Sequence, residues 1–169
     1  MLRFGTIFFV LLVSLFTIEL LNPVQVHVIT PFTSLIADIS ATLIRLFDEN
    51  VISYGKIIQS TENGFAVSIE PGCNGVEAII VLAAAVIAFP ASIKHKIYAI
   101  FFGFIFIQIF NLGRIISLFY IGQWNIDIFE WAHLYIWPVV IMLDVLIVFL
   151  IWLRFLPKAH SQEEPQHES

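Results

Sequence analysis

Cys73, the single cysteine of the chain, lies in the sequence PGCNGVEA, directly before a long apolar run. Asn74 followed by Glu77 matches a capping box, which predicts that a helix begins just after the cysteine. The unpaired N–H groups and the dipole of a helix N-terminus favour a thiolate, and Gly75 would leave room for a substrate chain. The pattern indicates a candidate nucleophile, although a lone cysteine is more often a small buried side chain.

A cysteine nucleophile needs a base or a cation beside it. Arg114 lies within the apolar run IFNLGRIISLFY, where an unpaired charge is costly and therefore points to function. His133, in FEWAHLYIW, is the better candidate base, and His27, in VQVHVIT, is the weaker one. Asp127 or Glu130 could orient the imidazole, and the pattern does not choose between them. The alternatives are an arginine that reaches lipid headgroups and a histidine in an interfacial aromatic belt.

Polar residues at a spacing of three accompany the arginine. Gln108, Asn111 and Arg114 form a slanting polar stripe on one predicted helix, and Asn111 is the one we expect to support the site. Asp144 lies within another apolar run and needs a partner there, which Asn111 or Gln108 could supply.

The composition places these residues in a membrane. The chain has 169 residues, of which 59% are hydrophobic and only 12% charged, so we expect an integral membrane protein. No basic patch indicates a nucleic-acid partner. One cysteine and one histidine at the same level are too few ligands for a metal, and we expect no cofactor.

Four apolar runs predict four membrane spans, at residues 4–21, 76–92, 97–121 and 134–156. They form one domain over residues 1–158, followed by a disordered cytoplasmic tail at 159–169. Basic residues at the span ends fall on one side, which we assign to the cytoplasm: Arg3, Lys94, Lys96, Arg154 and Lys158.

The segment 22–75 is then extracytoplasmic, and Cys73, Arg114 and His133 lie at the same depth near the outer face. Within the segment, Thr30 and Pro31 are expected to begin an amphipathic helix, and residues 51–70 to form a β-hairpin. The expected fold is an all-α integral membrane protein with about four transmembrane helices, plus a small extracytoplasmic amphipathic helix and β-hairpin.

Three motifs, PGCNGVEA, NLGRIISLFY and FEWAHLYIW, resemble in this order the exosortase/archaeosortase family of integral-membrane transpeptidases. ENGFAVSIEPGCNG and HLYIWPVVIMLDV are similar to the exosortase H subgroup, and the resemblance covers roughly residues 20–155. It implies a catalytic site of Cys73, Arg114 and His133, at the extracytoplasmic face of a prokaryotic inner membrane. It also implies as substrates exported proteins that end in a sorting motif, a transmembrane helix and a basic cluster. The subgroup is associated with motifs resembling IPTLxxWG.

The resemblance predicts a membrane-embedded cysteine transpeptidase or protease that cleaves the sorting signal through a thioester. The acceptor would be a lipid or glycan amine, or water. The alternative is a small non-enzymatic transporter or channel subunit, which would also place Arg114 and Asp144 within membrane spans. Against this alternative, the sequence contains no inverted repeat.

Overall fold

The computed structural model describes residues 2–156 of the chain, so the predicted tail at 159–169 and Lys158 lie outside the described residues. Five helices and three strands make up this part. The helices are α1 (Leu2–Glu19), α2 (Asn22–Ile44), α3 (Val76–Ala88), α4 (Ile93–Trp124) and α5 (Ile126–Arg154). The strands are β1 (Val51–Tyr54), β2 (Ile57–Ser60) and β3 (Ala66–Ser68).

Helices α1, α3, α4 and α5 pack side by side. Helix α1 runs antiparallel to α3, because Phe4 contacts Phe89 at one end while Glu19 lies near Glu77 at the other. At the end that carries Phe89, the Trp152 indole donates a hydrogen bond to the His95 carbonyl. The basic residues of the described span ends therefore gather at one end of the bundle, as the prediction of a shared side requires.

An apolar cluster lies at the end of the bundle opposite to Phe89. It joins α2 and the sheet to the last turns of α4 through Ile36, Ala37, Ala41, Ile44, Val51, Ile58, Ile69, Ile115 and Phe119. The Phe65 ring packs directly on Gly122, where an added Cβ would collide with it, and Asn63 bonds Gln123. The sheet is thus fastened to the extension of α4 beyond Arg114.

The membrane-protein fold class is confirmed, with differences in detail. Three described helices, α2, α4 and α5, are long and apolar enough to cross a membrane. The first and second predicted spans form α1 and α3, of 18 and 13 residues. Helix α2, expected to begin at Thr30 and to lie outside the membrane, already begins at Asn22, with Pro23 in its first turn.

The predicted hairpin is a three-stranded antiparallel sheet in the order β1-β2-β3. Within the predicted hairpin, residues 51–59 turn back on themselves at Gly55, whose φ of +55° suits glycine. The turn was missed because apolar residues continue on both sides of it.

Two prolines have the same effect on the backbones of α2 and α5. Each helix contains a π turn, at Gln25–Ile29 and Ala132–Ile136 respectively. The central residue of each π turn lies four positions before a proline, Pro31 or Pro138. A proline ring clashes with the carbonyl four residues earlier, and the wider turn moves that carbonyl away. Pro138 therefore sets the backbone on which His133 lies.

Candidate active site

Cys73 lies in the tight loop between β3 and α3. Its N–H donates to the Glu70 carbonyl at 2.9 Å, and Gly72 adopts a φ of +86°. The Gly72 N–H donates to Glu77 Oε1, so the first turn of α3 holds the residue that precedes the cysteine. Gly75 occupies the N-cap position with a φ of +81°.

The expected capping box does not form. Asn74 is not the N-cap, and Glu77 reaches back to the Gly72 N–H rather than to Asn74. The Asn74 side chain instead accepts from the Val76 N–H at 3.0 Å. The motif correctly predicted a helix start, but its carboxylate binds the N–H of the residue before the cysteine instead of the N–H of the residue after it.

Asn74 is fully buried and ties the loop to two helices. Its amide nitrogen donates to Thr33 Oγ1 of α2 at 3.0 Å, and its carbonyl accepts from Gln108 Nε2 of α4 at 3.2 Å. Asn111 donates to Gln108 Oε1 at 3.4 Å, and its own Oδ1 is buried without a partner among the described residues. These hydrogen bonds fix the position of the Cys73 loop relative to α4.

The same network requires glycine at position 75. A Cβ there would lie 2.7 Å from Gln108 Nε2 and 3.3 Å from Asn111 Nδ2. Its left-handed backbone is also unfavourable for any residue with a side chain. Gly75 therefore allows both the turn before α3 and its close approach to α4.

Cys73, Arg114 and His133 come together from three separate segments. Arg114 Nη2 lies 3.3 Å from Cys73 Sγ, and its Nη1 donates to the Gly72 carbonyl at 3.1 Å. His133 Nε2 lies 3.9 Å from the same sulfur. The guanidinium is buried, and its two contacts place it against the loop that carries the thiol.

The His133 ring is positioned by packing. It stacks on Phe129 with ring centroids 5.7 Å apart and an angle of 1° between the planes. Its Nδ1 is buried without a hydrogen-bond partner within residues 2–156. Asp127 and Glu130, the expected orienting acids, are exposed and do not bond it. Phe129 lies four residues before His133, a spacing that brings side chains together on one helix face, so this contact could have been predicted from the sequence.

Two opposing effects act on the thiol. Burial raises the pKa of Cys73, while the Arg114 guanidinium lowers it, and the carboxylates of Glu77 and Glu70 raise it further. The net effect is a pKa above the ordinary value, so the thiol is the resting form. Among the charged groups around the sulfur, the arginine is the one that favours the thiolate.

The three side chains open into a cavity of about 200 Å³. Residues 65–70 form one wall, and Ile126, Phe129 and His133 line it from α5. Within residues 2–156, no three His, Cys, Asp or Glu side chains are grouped as metal ligands. The space is large enough for a short peptide segment beside the thiol.

His27 and Asp144, which the sequence also suggested, are not among the residues that line this cavity. His27 is exposed and bonds the Pro23 carbonyl of its own helix at 3.0 Å. Asp144 is buried, and its Oδ2 has no partner in the described part of the chain. Gln108 and Asn111, proposed as its partners, bond the Cys73 loop and each other instead.

Comparison with known proteins identifies the family. No curated protein and no solved structure matches the chain significantly. The family model described as "Transmembrane exosortase (Exosortase_EpsH)" matches residues 2–153. This range contains the whole cavity and, except for Arg154, all four bundle helices. The family-level resemblance is confirmed, and the chain belongs to the transmembrane exosortase family.

Proposed function

We propose that the chain is a cysteine transpeptidase or protease that cleaves C-terminal sorting signals of exported proteins. The observation that carries the proposal is the meeting of one thiol, one guanidinium and one imidazole in a single cavity. Membership of the exosortase family supports it. The similarity to the exosortase H subgroup further suggests motifs resembling IPTLxxWG.

Acylation begins when His133 Nε2 takes the thiol proton and Cys73 Sγ attacks the scissile carbonyl carbon. A C–S bond forms, and the carbonyl electron pair moves to oxygen. Arg114 offers N–H donors and positive charge to this oxyanion, the usual means of stabilising such an intermediate. When the intermediate collapses, the C–N bond breaks, and His133 returns its proton to the leaving amine. A thioester remains on Cys73.

Deacylation reverses these roles. An amine of a lipid or glycan acceptor, or water, attacks the thioester carbon while His133 accepts its proton. The C–S bond then breaks, and the sulfur recovers a proton from His133. An amine yields transfer to a new amide, whereas water yields simple cleavage.

The cavity belongs, in this proposal, at the extracytoplasmic face of a prokaryotic inner membrane. The described basic span ends gather at the opposite end of the bundle, where Trp152 bonds His95. An excess of Lys and Arg is typical of cytoplasmic ends. A sorting motif just outside the membrane would meet Cys73 there, with its transmembrane helix in the bilayer beside the bundle.

The test uses a reporter protein that ends in an IPTLxxWG-type motif, an apolar helix and a basic cluster. It is co-expressed with the wild type, Cys73→Ala, Cys73→Ser, or, as a control, Ser34→Ala, which removes a hydroxyl that bonds the Thr30 carbonyl of its own helix. We expect a shortened or modified reporter C-terminus with wild type and Ser34→Ala only, together with a hydroxylamine-sensitive adduct in the wild type.

Normal processing by Cys73→Ala would disprove the nucleophile. The transporter or channel alternative predicts an unchanged reporter mass with every variant.

A further inference from the structure

β3 is an edge strand whose second side is open. It pairs with β2 over residues 66–68, and the sheet ends there. At the other edge, β1 is contacted by α2, and Ser53 of β1 bonds Asp38 of that helix. The two edges of this small sheet are therefore not equivalent, because only the edge at β3 faces the cavity.

The register shows which backbone groups are unused. The Phe65 carbonyl accepts from β2, and the Ile69 N–H donates to the residue before β2. Bonded residues alternate along an antiparallel strand, so Val67 is the next one directed at β2. The N–H and C=O groups of Ala66 and Ser68 consequently point away from the sheet, and both residues are exposed.

This open edge belongs to the same cavity as the thiol. Every residue from 65 to 70 lines the cavity, together with Cys73, Arg114 and His133. A strand added to β3 would lie about 4.8 Å from it. A chain in that position would therefore run past the sulfur, between β3 and the first turns of α5.

Apart from its short length, the edge carries no protection against pairing. Proteins commonly blunt such edges with lysine, proline or a bulge, but β3 reads Ala66-Val67-Ser68 and has a regular register. Free main-chain donors and acceptors at alternate residues are suited to an extended polypeptide. Main-chain pairing would hold the peptide, and its alternate side chains would determine selectivity.

We propose that the sorting motif of the substrate binds as a fourth strand on β3, which presents its scissile carbonyl to Cys73. This inference rests on the proposed function, because it names how the same site holds its substrate. It predicts a period of two along the motif, which neither a bound helix nor loose capture in a pocket would produce.

Disulfide cross-linking tests whether every second residue of the sorting motif faces the same side of β3. Cys73→Ala removes the only cysteine, so Ser68→Cys in that background supplies a single new thiol on β3. It is combined with the reporter described above, carrying one cysteine at each motif position in turn. We expect cross-links at every second position, since alternate residues of a strand face the same side. Ser53→Cys on β1, the matched control, should give none.

Cross-links at consecutive positions, or their absence, would overturn the inference. Preferential Ser68→Cys cross-links between two enzyme copies would also overturn it, because the edge would then join copies of this chain.

A second test removes one edge donor. Ala66→Pro deletes an N–H that does not bond β2, and Ser53→Pro makes the same change at the other edge of the sheet, away from the cavity. We expect reporter processing to fall about two- to tenfold with Ala66→Pro, the effect of one lost hydrogen bond, and to be retained with Ser53→Pro. Reaction of Cys73 with a pyridyl disulfide should be equal in both, which shows that the thiol site is intact.

Equal processing by both variants would contradict strand addition. If processing depends on Cys73 but the cross-links do not alternate along the motif, only the strand inference fails. If Cys73→Ala processes the reporter normally, the proposed chemistry fails, while the cross-link pattern still reports how the motif binds.

Discussion

Replacement of Arg114 by glutamine should raise the pKa of the Cys73 thiol, which burial already raises. At the 3.3 Å between Nη2 and Sγ, Coulomb's law with an effective dielectric constant of about 20 gives an attraction of about 5 kcal/mol for the thiolate. Solvent reduces this at a half-buried thiol, and one nearby cation typically changes a pKa by about 1 to 3 units. We therefore expect the pKa of the Cys73 thiol to rise further in Arg114→Gln.

The direction of the pKa change follows from the charge of the thiolate. The guanidinium stabilises the thiolate and not the neutral thiol, so its removal makes the proton harder to remove. At neutral pH the thiolate fraction falls about tenfold for each unit by which the pKa rises. Each remaining thiolate is more nucleophilic, with a Brønsted coefficient of about 0.4 to 0.5, so reaction with a disulfide slows only about threefold for each unit.

The assay is the rate of reaction with a pyridyl disulfide across pH, with the protein in nanodiscs. It needs no further substitutions because Cys73 is the only thiol. Arg154→Gln, at the far end of α5, is the matched control and should leave the midpoint unchanged. Arg114→Lys should keep most of the charge effect but lose the paired contacts to Cys73 and Gly72, and thus reporter processing.

An Arg114→Gln midpoint equal to that of the wild type would refute the electrostatic role. Arg114 would then serve to hold the loop through the Gly72 carbonyl, and Arg114→Lys would show no midpoint effect either.

Three further outcomes follow from the loop and the helix around the site. Gly75→Ala should lower the unfolding temperature, because its left-handed backbone alone costs about 1 to 2 kcal/mol; Gly113→Ala, which meets nothing within 4 Å, should not. Asn74→Ala should destabilise the protein by about 1 to 3 kcal/mol in chemical unfolding, because it leaves buried groups unpaired. Pro138→Ala should let the π turn revert to α-helix, which turns His133 away from the thiol, so processing falls while circular dichroism keeps its helical signal.

Local patterns were sufficient for much of the architecture. Long apolar runs predicted α1, α3, α4 and α5, because a span needs about 20 apolar residues whatever its neighbours are. The bounds of α2 were predicted less well. Pro31 was taken for a helix start, whereas a π turn accommodates it within a helix that begins at Asn22. Sequence spacing does not distinguish a proline that starts a helix from one that a widened turn tolerates.

The three candidate site residues were chosen from their chemical types and from the depth at which the apolar runs placed them. Arg114 was recognisable because a charge within an apolar run needs a partner. His133 was preferred to His27 because it precedes the last apolar run, level with Cys73. The structure brings these three side chains together, while the proposed role of each still awaits the experiments above.

What the sequence alone determined is the membrane class, most helices and the identity of the candidate nucleophile, cation and base. Each of these depends on composition, local periodicity or the cost of burying a charge. The tertiary structure alone decided the loop network of Asn74 and the open edge of β3. The Asn74 network and the β3 edge depend on contacts between residues distant in the chain, which local patterns do not encode, whereas the Phe129–His133 contact is local at a spacing of four. For this reason the candidate site residues could be predicted from the sequence, whereas the surface proposed to hold a substrate could not.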